Sequence, residues 1–99
     1  MEEGREIVWT DLALEELENT VQYLEEKFSQ KEINRLGDEI ERILLIISKN
    51  PDIFPLSDRL NARKAVLLKF NSMHYRATKN QIQILSFYSN RQSPEKLNK

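Results

Sequence analysis

The sequence predicts an α+β fold: an N-terminal strand, an antiparallel helical hairpin, and a three-stranded antiparallel meander forming one sheet with the first strand. Three observations carry this expectation. Apolar residues recur every three or four positions between residues 11 and 47, as on one face of a helix. β-Branched and aromatic residues gather before that stretch, at Ile7-Val8-Trp9, and after it, from Ala62 onward. A two-residue turn signal, Lys79-Asn80, divides the last apolar stretch into a hairpin.

Arg5 to Trp9 reads as a strand, with Trp9 a strand-end core residue. Thr10 and Asp11 can accept hydrogen bonds from the free backbone N–H groups of a helix start, and Ala13, Leu17, Val21, Leu24 and Phe28 supply the stripe of a helix over about 11–28. Ser29-Gln30-Lys31-Glu32 has the form of a capping box, so a second helix begins at once. Its stripe is Ile33, Leu36, Ile40, Ile43, Leu44 and Ile47, and Asn50-Pro51 stops it, because the proline ring disfavours a helical residue before it and lacks the next donor. Gly37 costs this helix about 1 kcal/mol relative to Ala and is expected to permit close packing.

Residues 51–61 read as a loop from which Ile53, Phe54 and Leu56 fold back onto the core. Strands follow at Ala62 to Phe70, Ser72 to Thr78 and Gln81 to Tyr88. The Lys79-Asn80 turn pairs Arg76 with Gln83, Tyr75 with Ile84 and His74 with Leu85. Strict alternation then turns Met73, Tyr75, Ala77, Ile82 and Ile84 towards the helices, and His74, Arg76, Gln83, Leu85 and Phe87 to the opposite face. Residues 89–99 read as a polar tail, loose after Pro94.

A chain of 99 residues suits a single domain. Its net charge of −1 hides a split. Residues 1–49 hold six Lys and Arg against 13 Asp and Glu, a net of −7, whereas residues 50–99 hold nine against three, a net of +6. No cysteine is present, which excludes a disulfide framework and suits a reducing cytosol. The longest apolar run, Leu44 to Ile47, is far short of a bilayer span, and the first residues are acidic, so a cytoplasmic protein without a membrane segment is expected. One His and scattered carboxylates give no metal-ligand spacing, and two glycines give no phosphate-cradling loop, so neither metal nor cofactor is expected. Glu15-Glu16 and Glu25-Glu26 read as solvated helix surface.

Candidate binding residues lie in the basic half. His74, with an ordinary pKa near neutrality, suits acid–base work or phosphate binding, and equally a hydrogen-bonded sheet histidine. Arg76, two residues along on the same face, offers a planar fork of donors for phosphate or carboxylate. Arg59, Arg63, Lys64, Lys69 and Arg91 add positive charge, either as a binding surface or as protection of a sheet edge. Phe87 and Tyr88 can stack on bases or fill an interface.

The order strand, two helices, three strands, together with Val8-Trp9-Thr10 plus Ala13 and Leu17, Arg63-Lys64-Ala65-Val66-Leu67, His74-Tyr75-Arg76, and the run from Ile82 to Pro94, resembles the RelE/ParE superfamily of bacterial toxin–antitoxin toxins over nearly the whole chain. RelE-like members cleave messenger RNA on the ribosome without a metal; ParE-like members inhibit DNA gyrase. Arg91 matches the arginine that commonly follows the last strand in both branches, and Lys64 stands near the basic residues of the family's second strand. Where the nucleases place an arginine shortly before the third-strand Tyr, this chain has Asn71, Ser72, Met73 and His74 before Tyr75, and Leu97 is the sole bulky residue after Arg91. The resemblance therefore implies a ParE-like, growth-inhibiting toxin of the plasmid-stabilisation kind. Its expected partners are a cognate antitoxin and DNA gyrase, in a homodimer or a hetero-oligomer with the antitoxin, with Arg63, Lys64, Lys69, Arg76, Phe87, Tyr88 and Arg91 as contact residues. The alternatives are a ribosome-dependent endoribonuclease using His74, Arg76 and Arg91, and a non-toxic, antitoxin-binding member.

Overall fold

A computed structural model of the chain describes residues 5–57 and 62–89. The strand β1 (Glu6–Trp9) passes through Thr10 into α1 (Asp11–Lys27), and α2 (Gln30–Lys49) follows after two residues. β2 (Leu56–Ser57), β3 (Ala62–Leu67), β4 (Asn71–Ala77) and β5 (Gln81–Ser89) then complete one sheet in the order β1-β5-β4-β3-β2. β1 lies parallel to β5 and all other pairs are antiparallel. The expected α+β architecture is present, with β2 as an additional edge strand of two residues. No helix among the described residues is long and apolar enough to cross a membrane.

Local chemistry sets the helix limits. Thr10 is extended at the start of α1, and its Oγ1 accepts the Ala13 N–H at 3.2 Å. Asp11 in the first turn and Lys27 in the last complement the helix dipole. At α2 the capping box does not form: Ser29 has the capping backbone but no side-chain cap bond, because the Glu32 N–H that its hydroxyl would serve is bound at 3.0 Å to Ser29's own carbonyl. Asn50 closes the helix, its N–H shared between the carbonyls of Ile46 and Ile47, and Pro51 prevents continuation.

One face of the sheet is covered. Ala13 and Leu24 of α1 and Leu36, Ile40, Ile43 and Ile47 of α2 pack on Ala65, Leu67, Met73, Tyr75, Ile82, Ile84 and Phe87. Thr20 also lies inside; its hydroxyl donates to the Glu16 carbonyl at 3.0 Å, which allows a polar residue into the stripe. Phe28, expected in the core, is 43% exposed and leans on the Tyr23 ring instead. Of the loop residues expected to fold back, Phe54 packs on the core, whereas Ile53 and Leu56 are exposed. Gly37 is not a close-packing residue either, since a Cβ there would meet nothing within 4 Å.

β3 ends at Leu67, earlier than expected, because Leu68 and Lys69 take φ values of 52° and 74° and turn the chain into β4. β5 runs later than expected: Ser89, assigned to the polar tail, is its last residue and is buried. The rest of that tail, with Arg91 and Pro94, lies outside the described residues, as does Arg59.

The decisive departure is a β-bulge. Arg76 pairs with Gln83 and Tyr75 with Ile84, as expected, but His74 pairs with Ser86 rather than Leu85. Leu85 is the extra residue, and from it onward every β5 side chain changes face. Phe87, expected outside, sits opposite Met73 in the core, 1% exposed. Two residues of the first helix junction hold the bulge. Thr10 donates from its N–H and its hydroxyl to the Ile84 carbonyl at 3.1 and 2.8 Å, and Glu16 Oε1 accepts the Phe87 N–H at 2.8 Å. Glu16, expected to be solvated surface, thus replaces the strand partner that β1 ceases to provide after Trp9.

Two outcomes follow for urea unfolding. Glu16→Ala should cost about 1.5–3 kcal/mol, the range for a hydrogen bond to a charged group, while Glu15→Ala at the exposed neighbouring position stays within about 0.5 kcal/mol. Gly37→Ala should raise stability by about 0.5–1 kcal/mol, since the helix gains propensity and the added methyl meets no atom.

Candidate functional site

The sheet face turned away from the helices gathers most of the candidate residues. Inter-strand register places Lys64 of β3, His74 of β4 and Ser86 of β5 in one row across three strands. His74 Nδ1 and Ser86 Oγ are hydrogen bonded at 3.1 Å. One row towards the Lys79-Asn80 turn stand Arg76, Gln83 and Val8; one row the other way stand Val66, Ser72 and Tyr88. Lys64, Val66, Arg76 and Tyr88 are exposed, and His74 and Ser86 are half-buried. Glu6, at the far end of β1, is the acidic residue of this face among the described strands.

Alternation in β3 and β4 explains why these side chains share a face; the bulge explains why Ser86 joins them. Sequence spacing carried a signal for it: the apolar positions Ile82, Ile84 and Phe87 step by two and then by three, which no unbroken strand can bury on one side. The resulting surface is shallow. Two cations and an imidazole flanked by Val66 and Tyr88 suit an extended anionic partner: the cations supply attraction, and the apolar and aromatic groups supply buried area. No group of three or more His, Cys, Asp or Glu placed to hold a metal occurs among the described residues.

Arg63 belongs to a different structure. It points to the helix-covered side, where its Nη1 donates to the Phe54 carbonyl at 2.7 Å and its Nη2 lies 3.2 Å from Asp52 Oδ1. Its pairing partner Tyr75 is buried and donates its hydroxyl to the Pro51 carbonyl at 2.6 Å. Together they bolt the segment after α2 to the sheet. Burial raises the Tyr75 pKa above its usual value, against the opposing pull of the Arg63 guanidinium. Lys69 is in the β3–β4 turn, beyond the row that Lys64 starts. The structure thus brings together Lys64, His74, Arg76 and Tyr88, sets Arg63 and Lys69 apart, and places Phe87 inside.

No family model matches this chain, and no curated protein does. Among solved structures, a chain described as "Chromosomal ParDE TA system from P. aeruginosa" superposes with a TM-score of 0.71 over 86% of this chain and 95% of the other, at 17% identity. The fold described above is therefore similar, almost end to end, to that of a chain from a toxin–antitoxin system.

The Tyr75 anchor makes a pH dependence. A raised folded-state pKa means that the unfolded chain loses the proton first, so stability is complete below the ordinary tyrosine pKa of about 10 and falls as pH rises through the folded value. Tyr75→Phe should lower stability by about 1 kcal/mol at neutral pH and flatten the loss above about pH 10, as read by urea titration across that range.

Proposed function

We propose that this chain is the toxin of a type II toxin–antitoxin module, nearer to the ParE than to the RelE branch. In this reading it arrests growth through DNA gyrase and is neutralised by a cognate antitoxin. The observation that carries the reading is the likeness of fold to a chain of a ParDE system over almost the full length of both. The outer sheet face supports it. Lys64 and Arg76 beside Val66 and Tyr88 fit the acidic, partly apolar segment by which such antitoxins are expected to bind, and the +6 charge of residues 50–99 steers its approach.

The row of Lys64, His74 and Ser86 favours one second reading, an endoribonuclease. Cleavage by a ribose hydroxyl requires a proton acceptor, cations for the developing charge and an acid for the leaving oxygen. Lys64 and Arg76 meet the second requirement and His74 one of the other two. Among the described residues the remaining proton-transfer role has no assigned group, and this reading stands beneath the first.

Induced expression in bacteria without the antitoxin distinguishes them. Growth arrest with intact transcripts and gyrase-linked DNA breaks is expected; new transcript ends within translated codons would replace gyrase by RNA. Soluble, folded protein that leaves growth unchanged would overturn both and leave the non-toxic, antitoxin-binding role.

A further inference from the structure

We propose that the interior of this protein holds one ordered water molecule, bound where β5 ends. The site is a small cavity of about 10 Å³ between the two helices and the sheet, lined by Thr20, Leu24, Glu32, Leu36, Leu68, Asn71 and Ser89. Its volume is that of a single water-sized sphere, the least that admits a water. Ser89 is 4% exposed, and its Oγ is a buried polar atom with no hydrogen-bond partner. Such an atom is costly unless a water serves it.

The rest of the lining supplies what a water needs. Thr20 spends its hydroxyl proton on the Glu16 carbonyl at 3.0 Å, which leaves its oxygen free to accept. Asn71 spends its Nδ2 on the Leu67 carbonyl at 3.2 Å, which leaves its amide oxygen as the remaining acceptor. The Glu32 carboxylate, whose Oε2 lies 3.7 Å from Arg35 Nη1, also borders the site. The water donates to two of these acceptors and exchanges a third bond with Ser89 Oγ, reaching the usual number for a buried water. Leu24, Leu36 and Leu68 form the apolar part of the lining.

This placement joins α1, α2, the turn after β3, and the paired ends of β4 and β5, since Asn71 and Ser89 face each other in register. The water thus fixes the last residue of β5. That residue lies two positions before Arg91. The inference is independent of the function proposed above.

The test uses the full-length chain. Oxygen-17 relaxation dispersion counts waters held longer than the tumbling time and is insensitive to exchanging hydroxyl protons. The wild type should show one such water more than Ser89→Val, whose branched side chain fills the cavity; equal counts overturn the proposal. Because the valine variant can be strained, Ser89→Ala gives a second readout. A hydroxyl that holds a water is missed, so its removal should lower the urea midpoint. A hydroxyl stranded in a dry cavity is a liability, so a midpoint that is unchanged or raised overturns the proposal as well.

Discussion

The bulge at Leu85, and the two side chains that hold it, determine both faces of the sheet. Without it, β5 would carry Phe87 outward and Ser86 inward, and the core would exchange an aromatic ring for a hydroxyl. The bulge needs hydrogen-bond partners, because a slipped ladder leaves backbone groups unmatched. Thr10 and Glu16 provide them from the other side of the chain. Thr10 also caps α1, so the start of the helix and the register of the last strand are fixed by one residue. The contact spans more than seventy positions of sequence.

This arrangement separates the packed core from the face that carries the candidate residues. The acidic first half forms the helices, and their apolar stripes cover one face of the sheet. The basic second half forms most of the sheet, and its opposite face carries Lys64, Arg76, His74 and Tyr88. The near-zero net charge of the chain is the sum of two oppositely charged halves, and says nothing about either. Arg63 shows that a positive residue in the basic half need not belong to the candidate face: alternation turns it inward, where it ties down the segment between α2 and β2.

What could be read from residues was read where physics is local. The end of α2 followed from Asn50-Pro51, the stripe of α2 from its spacing, the β4–β5 turn from Lys79-Asn80, and the pairs Arg76–Gln83 and Tyr75–Ile84 from that turn. Errors arose where one local rule competed with another or with distant contacts. The Ser29 box lost to a backbone bond, Phe28 stayed exposed against the half-buried Tyr23, and Leu68 and Lys69 turned where a strand pattern continued. Within the candidate site, His74 and Arg76 were legible from alternation alone, and Lys64 only as positive charge near the first strand of the meander. Ser86 was not, because strict alternation assigns it to the other face, and the bulge is signalled only by the step of three from Ile84 to Phe87.

The sequence by itself determined the class of fold, the order of elements, and which half would carry acid and which base, since these depend on composition and on short-range periodicity. Only the tertiary structure decided the face on which Phe87, Ser86 and Arg63 lie, and the role of Glu16. The physical reason is that facing is set by register, and register here is fixed by hydrogen bonds from the first helix to the last strand. No window of neighbouring residues contains both ends of those bonds.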